Sequence, residues 1–431
     1  MERFWGKMIV HAEDLVNILK STDASKVPRS GGVVIQLTTE PAVQYILGKN
    51  KIQDSPLPPF NVLTCDFLSE LSGAIRKNKS AKQFPDLMTF SFWCRKGNIQ
   101  GLKKDYLDGK TRVGLGLVFH ITPSNVPMNF AFSFAYSLLS GNSNVVRLPS
   151  ANFQQTDLLC SIIGEVLSQD SFKTLRDRVV FVRYPINNST TEEFTRLSDG
   201  LMLWGGDRTI SEIKKLNSKP SARELIFSDR YSISIINADM IVRLGKTELV
   251  KLAQDFYNDT YLMDQNACSS PSFVIWSGNK VEEAKNIFWQ QVLELTSKSY
   301  EIQLVNVVDK LTQVCMDAAN DISTNFDTSH KDLFKVELPK VLNQHAELKG
   351  ACGYFYEYST SDLNELVPMI SEKCQTITYF GEAVENIKNL VLENNLKGVD
   401  RITPIGTALE IGPIWDGYDI ISSLTRIINI S

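Results

Sequence analysis

Residues 114–148 read GLGLVFHITPSNVPMNFAFSFAYSLLSGNSNVVRL. Leu115–Ile121 is a nearly continuous apolar run of strand length. Pro127 suits the first turn of a helix, and Met128–Leu139 carries that helix to a stop at Gly141. Val145–Leu148 then reads as the next strand. Val113 to Val146 contains no Asp, Glu, Lys or Arg, but Pro123, Asn125 and Pro127 interrupt it. The apolar run after them is too short to cross ~30 Å of hydrocarbon, so this is protein interior and no membrane span is expected.

The unit repeats on the C-terminal side. Asn152–Leu167 is an amphipathic helix, Val179–Arg183 a strand, Thr190–Leu197 a helix and Leu201–Trp204 a strand. Apolar strands separated by helices make a parallel sheet covered on both faces, a doubly wound α/β architecture. A second α/β series starts near Tyr231. It has a strand at SISII, a helix through Ile241–Tyr257, a loop around Cys268, a strand at Ser272–Trp276 and a long helix from Glu282. The break in pattern puts a boundary near Arg230. Residues 1–112 show only a strand at Gly32–Leu37, a Pro-rich turn at Ser55–Pro59 and a helix around Phe67–Lys77.

A chain of 431 residues, 43% hydrophobic and 22% charged, has material for two or three lobes with sizeable cores. Its 45 basic against 49 acidic side chains give a net charge of −4 without long like-charge runs, which argues against nucleic acid as a partner. The 7 cysteines are scattered singly, in neither a disulfide framework nor a zinc pattern. With no signal peptide evident in MERFWGKMIVHAEDL, a cytoplasmic protein with reduced thiols is expected.

The dinucleotide fingerprint GxGxxG, the P-loop and the GxSxG elbow are absent from the sequence. His11, His120, His330 and His345 lie far apart without metal-ligand spacing, and no metal is expected. Cys268, in TYLMDQNACSSPSFVIW, follows a helix and precedes an apolar strand, among small and polar residues that leave its sulfur approachable. It is either a small residue in a tight turn or a thiol nucleophile, which needs nearby donors to favour thiolate and to hold an oxyanion. Asn125, between prolines where a strand meets a helix, is either such a donor or a helix cap.

PSNVP at 123–127, GNSNVVRLPS at 141–150, LMLWGGDRTI with its glycines at 205 and 206, DQNACSSP about sixty residues on, and the ending RITPIGTALEIGPIWDGYDIISSLTRII resemble the aldehyde dehydrogenase superfamily. Within it, the residues are most similar to the LuxC-type acyl-CoA reductases, the fatty-acid reductases of bacterial luminescence and their relatives. The resemblance covers roughly residues 110–431. It implies an aldehyde-dehydrogenase-like fold, with a cofactor domain at 1–230 to which 400–431 returns and a catalytic domain at 231–399. It makes Cys268 the acylated nucleophile and Asn125 the oxyanion asparagine. Thr122, Pro123, Ser124, Arg147, Gly205 and Gly206 fall along the cofactor, and Arg147 favours NADPH because its charge suits a 2′-phosphate.

Members that hydrolyse their acyl-enzyme carry a base glutamate in ELGGK. Here LIFSDRYS puts Ile226 at that place and Arg230 at the lysine, with Glu224 two residues off. Without a base for water, reduction of an acyl thioester is expected over hydrolysis to the acid. The expected substrate is acyl-CoA or an acylated carrier or synthetase protein, with an acyl-protein synthetase as partner, and the chain is expected to form a homo-oligomer. Two other readings keep the fold: a reductase of an acyl phosphate, and a non-catalytic subunit that docks an acyl-activating partner. The first should gather cations near Cys268, whose nearest in sequence are Lys251 and Lys280.

Overall fold

A computed structural model of the chain describes residues 33–106, 109–123, 126–341, 348 and 350–430. Before the first large sheet come β1 (Val33–Gln36), β2 (Gln44–Leu47) and β3 (Lys51–Asp54), followed by helices α1 (Val62–Lys77), α2 (Pro85–Trp93) and α3 (Lys96–Asp105). Then β4 (Thr111–Gly114) and β5 (Leu117–Ile121) lead into α4 (Asn129–Leu139), β6 (Ser143–Arg147), α5 (Gln154–Ser168), β7 (Val179–Arg183), α6 (Asn188–Leu197), β8 (Gly200–Trp204), α7 (Asp207–Ile213) and β9 (Arg223–Phe227).

Six of these strands form one sheet in the order β2-β7-β6-β5-β8-β9. It is parallel except for β2, which joins β7 antiparallel at the edge. All five residues of β5 are buried, because both faces of the sheet are covered. One face packs on α1, α2, α4 and α5, the other on a cluster with Phe194 of α6. The helix expected from Pro127 begins at Asn129, two residues later. Gly141 turns the chain into β6 at φ 90°, and a Cβ there would stand 2.0 Å from the Leu57 carbonyl oxygen.

The chain leaves this sheet at Phe227 and enters the second at Tyr231. There follow β10 (Tyr231–Asn237), α8 (Lys246–Thr260), β11 (Pro271–Ser277), α9 (Val281–Ser299), α10 (Leu304–Ala319), β12 (Asn325–His330), β13 (Leu333–Glu337), β14 (Tyr354–Thr360), β15 (Cys374–Phe380), α11 (Val384–Glu393) and β16 (Arg401–Pro404). The second sheet runs β12-β13-β14-β11-β10-β15-β16, with only the edge strand β12 antiparallel. The helix expected at Ile241–Tyr257 is two pieces, a turn at Ala238–Ile241 and α8, parted by the loop through Gly245. β16 belongs to the second sheet and Ile405 still packs in that unit's core, while Ile411, Trp415 and Tyr418 pack on the first core.

In the tail, β17 (Ile414–Trp415) and β18 (Tyr418–Asp419) form a hairpin, and β19 (Thr425–Ile428) pairs antiparallel with β4. Trp415 and Tyr418 pack on the first core. Asn142 ties this end down: its Oδ1 accepts from Leu115 and Gly116 N–H, and its Nδ2 donates to the Leu424 carbonyl. Among the described residues no helix is long and apolar enough to cross a membrane.

Candidate active site

Cys268 sits in the turns that join α8 to β11, and its side chain is exposed. Asp264 and Gln265 both take left-handed backbone conformations, at φ 52° and 58°. This conformation is costly for glutamine. Four hydrogen bonds offset it: the buried Gln265 Oε1 accepts from Gly353 N–H at 2.7 Å and Tyr354 N–H at 3.0 Å, and its Nε2 donates to the Pro271 and Tyr354 carbonyls, each at 3.2 Å. Asp264 adds two more, its carbonyl accepting from Cys352 N–H and its carboxylate from Tyr300 O–H. Ser270 N–H donates to the Ala267 carbonyl and closes the next turn around the cysteine. On the other side Ser232, at the start of β10, donates to the Cys268 carbonyl at 2.7 Å. An exposed thiol on an anchored turn is the geometry a nucleophile requires.

The remaining cysteines make a contrast. Cys94, Cys160, Cys352 and Cys374 are buried, and burial pushes all four thiols up, Cys160 and Cys374 to about 12. A thiol so shifted carries little thiolate at neutral pH. Cys315 is exposed as well and lies on α10, whose Asp317 accepts from the Tyr354 and Tyr356 hydroxyls.

Sequence spacing points to Lys251 and Lys280 as the nearest cations; the structure brings Arg230 instead, from the link between the two sheets. Its guanidinium pairs with Asp400 and stands 3.8 Å from Asp416. Burial alone would lower the Arg230 pKa; the hydrogen bond to Asp400 and the charges of Asp416, Asp400 and Cys268 outweigh it and push it up. Asp416, at the tip of the tail hairpin, also accepts from Gln375 Nε2. Arg401 and Asp259 shape the approach of this tail. Arg401 donates to the carbonyls of Thr407, Ala408 and Glu410, while Asp259 accepts from Gly406 and Ala408 N–H. Sequence reasoning missed Ser232, Gln265 and Asp400 because each meets the cysteine loop or Arg230 only through the fold. The one signal for Arg230 was its alignment with the superfamily lysine.

The proposed cofactor residues gather at the carboxyl ends of neighbouring parallel strands. Thr122 and Pro123 follow β5, Arg147 ends β6 opposite Ile121, and Gly205 and Gly206 follow β8. This is where the strand order reverses, with β6 on one side of β5 and β8 on the other, the usual place for a ligand on an open α/β sheet. Thr122 Oγ1 donates to the Arg147 carbonyl, and the Arg147 guanidinium lies 4.5 Å over the Tyr184 ring. Among the described residues Arg147 has no carboxylate partner, so its charge is available to a phosphate. At Gly205 an added Cβ would only touch Thr209 at 3.6 Å; packing does not demand glycine there, and its absence of side chain leaves the strand end open. Gly206 lies closer to an acid, with a Cβ 3.0 Å from Asp229 Oδ2, and Asp207 is paired with Lys373 at 2.6 Å. These features fit a nucleotide with its phosphate at Arg147. Ser124 and Asn125 lie outside the described residues.

Ile226 is half-buried against the cluster that holds Leu203, and Glu224, on the same face of β9, is exposed. His120 is structural: its two ring nitrogens meet Ser133 Oγ at 2.8 Å and Asn144 Oδ1 at 3.1 Å, and burial pulls it down to about 4, so it stays neutral.

The fold and the sequence each have parallels among known proteins. The solved structure of proline utilization A from Bradyrhizobium japonicum (mutant D778Y) is similar over 85% of this chain and 42% of that one, with TM-score 0.60 and 12% identity. Aldehyde dehydrogenase 21 from Physcomitrella patens is similar over 85% of both chains, with TM-score 0.58 and 13% identity. The fold is therefore aldehyde-dehydrogenase-like. In sequence, the long-chain acyl-protein thioester reductase of Vibrio harveyi is 26% identical over 43% of this chain and 38% of its own length. The protein of the same name from Photorhabdus laumondii is 21% identical over 73% of this chain and 63% of its own. The chain thus spans less than two thirds of each of these relatives. The family model for acyl-CoA reductase (LuxC) matches residues 102–427, and the chain belongs to that family.

Proposed function

We propose that the chain reduces an acyl thioester to an aldehyde with NADPH, through an acyl group carried on Cys268. The observation that supports this most is the exposed Cys268 thiol on a turn pinned from two sides by Gln265 and Ser232. In this reading the Cys268 thiolate attacks the thioester carbonyl, and the donor leaves as its thiolate and takes a proton from solvent. Asn125 and the Cys268 backbone N–H hold the oxyanion while the tetrahedral centre forms and collapses. Bound NADPH would supply hydride to the acyl carbon. The thiohemiacetal then breaks its carbon–sulfur bond, releasing aldehyde and returning Cys268 to the thiolate.

The unit built on the first sheet holds the cofactor, with Thr122, Pro123, Ser124, Gly205 and Gly206 along the dinucleotide and Arg147 at the 2′-phosphate. The second unit carries the nucleophile. Ile226 offers no proton acceptor where a hydrolytic relative has its glutamate, which favours reduction over release of acid. The donor is acyl-CoA or an acylated protein, in keeping with the names of the two reductases above. An acyl phosphate gains little from Arg230, because that charge already meets Asp400 and Asp416.

The test is turnover of purified protein with a long-chain acyl-CoA. Oxidation of NADPH should track aldehyde formation one for one and vanish in Cys268→Ala, while Cys352→Ala and Cys374→Ala keep it. Retention of more than a few per cent by a folded Cys268→Ala protein would remove the covalent route.

A further inference from the structure

The tail segment IWDGYD has no part in the reaction steps above, yet it crosses from one unit to the other. Trp415 pairs with Tyr418, which leaves Asp416 and Gly417 as the two residues of the turn between β17 and β18. Both take left-handed backbone conformations, at φ 48° and 74°. This is the tight two-residue hairpin turn that Asp-Gly favours. The surroundings demand the glycine as well, since a Cβ at 417 would stand 2.8 Å from Asp400 Oδ1. The tip is held by the second unit. Asp416, its side chain only 5% exposed, accepts from Gln375 Nε2 and lies 3.8 Å from the Arg230 guanidinium, which itself pairs with Asp400.

The strands of the hairpin belong to the first unit, and through them the contacts run to the cofactor residues. Tyr418 meets the Phe227 ring edge-on with centroids 5.6 Å apart, and Phe227 stacks on Trp204 at 3.6 Å. The Phe227 carbonyl then accepts from Gly205 N–H at 3.1 Å, at the strand end proposed for the dinucleotide. From the tip the contacts run the other way, to the nucleophile. Gln375 precedes Thr376, whose N–H donates to Ser232 Oγ, and Ser232 donates to the Cys268 carbonyl. Arg230 stands two residues before Ser232, and Cys268 is among the charges that push its pKa up. One short hairpin therefore touches, at one remove, both the turn that carries the thiol and the strand end that would carry the cofactor.

We infer that Asp416 and Gln375 are positioning residues: their contact sets the distance between the two units, and so the placing of Cys268 against the groups that the first unit brings to it. The inference rests on the reading of Cys268 as the acyl carrier. Acylation draws on Asn125, which follows β5 in the chain, and discharge draws on the nucleotide, so both steps span the two units. Reacting atoms must come within about 3–3.5 Å in the right orientation, and a misplacement of 1 Å can cost ~10²-fold. Binding of the nucleotide to the first unit and the bare reactivity of the thiol on the second need no such alignment.

The test compares Gln375→Ala and Asp416→Ala, which remove the same contact from opposite sides, with the unaltered full chain. Four quantities are read on folded protein: NADPH affinity by fluorescence, alkylation of Cys268 by iodoacetamide, acylation by a long-chain acyl-CoA without NADPH, and single-turnover discharge of the acyl group by NADPH. The first two should be unchanged in Gln375→Ala, while acylation and discharge slow about 10–100-fold. Asp416→Ala should slow the same two steps, the double variant should be little slower than either single one, and Asp416→Asn, which can still accept from Gln375, should restore most of the rate. Normal acylation and discharge in both alanine variants would overturn the inference. So would alkylation slowed as much as acylation, which would make the contact a support of the thiol turn alone, or losses that simply add in the double variant. Failure of the underlying reading shows elsewhere, in an unaltered chain that gains no acyl group at Cys268, and the inference would fall with it.

Discussion

Ser232 ties the Cys268 turn to the second sheet: its Oγ donates to the Cys268 carbonyl at 2.7 Å and accepts from Thr376 N–H at 3.2 Å. One buried hydroxyl thereby joins β10, β15 and the turn that presents the thiol. Ser232→Ala orphans both partners, and the expected loss is ~1–3 kcal/mol of stability. With the turn loosened, kcat of the proposed reduction should fall while KM for the cofactor holds, and Ser232→Thr should recover part of both losses. Urea denaturation and steady-state kinetics read the two effects; an alanine variant with normal stability and kcat would show that this bond does not position the cysteine.

Gln265 anchors the same turn from the opposite side. Its carboxamide fills two acceptor and two donor roles. Gln265→Ala should therefore destabilise the protein by about 3 kcal/mol or more, since each buried group left unsatisfied costs ~1–3 kcal/mol. Hydrogen exchange should accelerate first at Gly353 and Tyr354, whose N–H groups lose their acceptor. Exchange unchanged at those two amides would contradict the role given to Gln265.

Arg147 is held at the end of β6 by stacking on Tyr184 and has no carboxylate partner among the described residues. If it meets a 2′-phosphate, Arg147→Ala should weaken NADPH about 10–100-fold, the equivalent of one hydrogen bond to a charged group, and NADH far less. Fluorescence titration with both nucleotides gives the comparison. Equal weakening of the two would place Arg147 away from that phosphate.

Asp416 couples the tail to pH. Burial pushes its carboxyl up from 3.8 to about 6, against the opposing hydrogen bond from Gln375 and the charge of Arg230. A raised folded pKa means that the folded chain holds this proton more tightly than the unfolded chain. The resulting stabilisation is complete below about pH 3.8 and is lost as pH rises through about 6. Asp416→Asn removes the effect, so denaturation midpoints should shift in favour of the variant between pH 4 and 7. A difference flat with pH would mean that Arg230 keeps Asp416 ionised throughout.

Much of the first sheet is legible in the sequence because its central strands are buried on both faces and spell continuous apolar runs, as LVFHI and VVFVR do. Helix α10 escapes a search for apolar inner faces, since its inner residues are Lys310 and Asp317 and the partners that make them acceptable lie on other elements. The cysteine could be singled out from its small, polar neighbours, but its anchors could not. Ser232 reaches the loop across 36 residues, and Gln265 reads locally as a turn residue while Gly353 and Tyr354, which it also binds, are nearly ninety residues on. Trp415 and Asp416, opaque as letters, become a hairpin whose tip meets Arg230 and Gln375.

The central claim is the acyl group on Cys268, and intact-mass spectrometry with peptide mapping tests it most directly. Protein mixed with a long-chain acyl-CoA in the absence of NADPH should gain one acyl mass, mapped to the peptide with Cys268. With Ile226 in place of a base, that adduct should persist, because general-base help to water is worth ~10²–10⁴-fold. Adding NADPH should discharge it as aldehyde within a turnover. An adduct on another residue, or rapid release of free acid with no adduct surviving between turnovers, would contradict the account, and in the second case Glu224 would be the first base to examine.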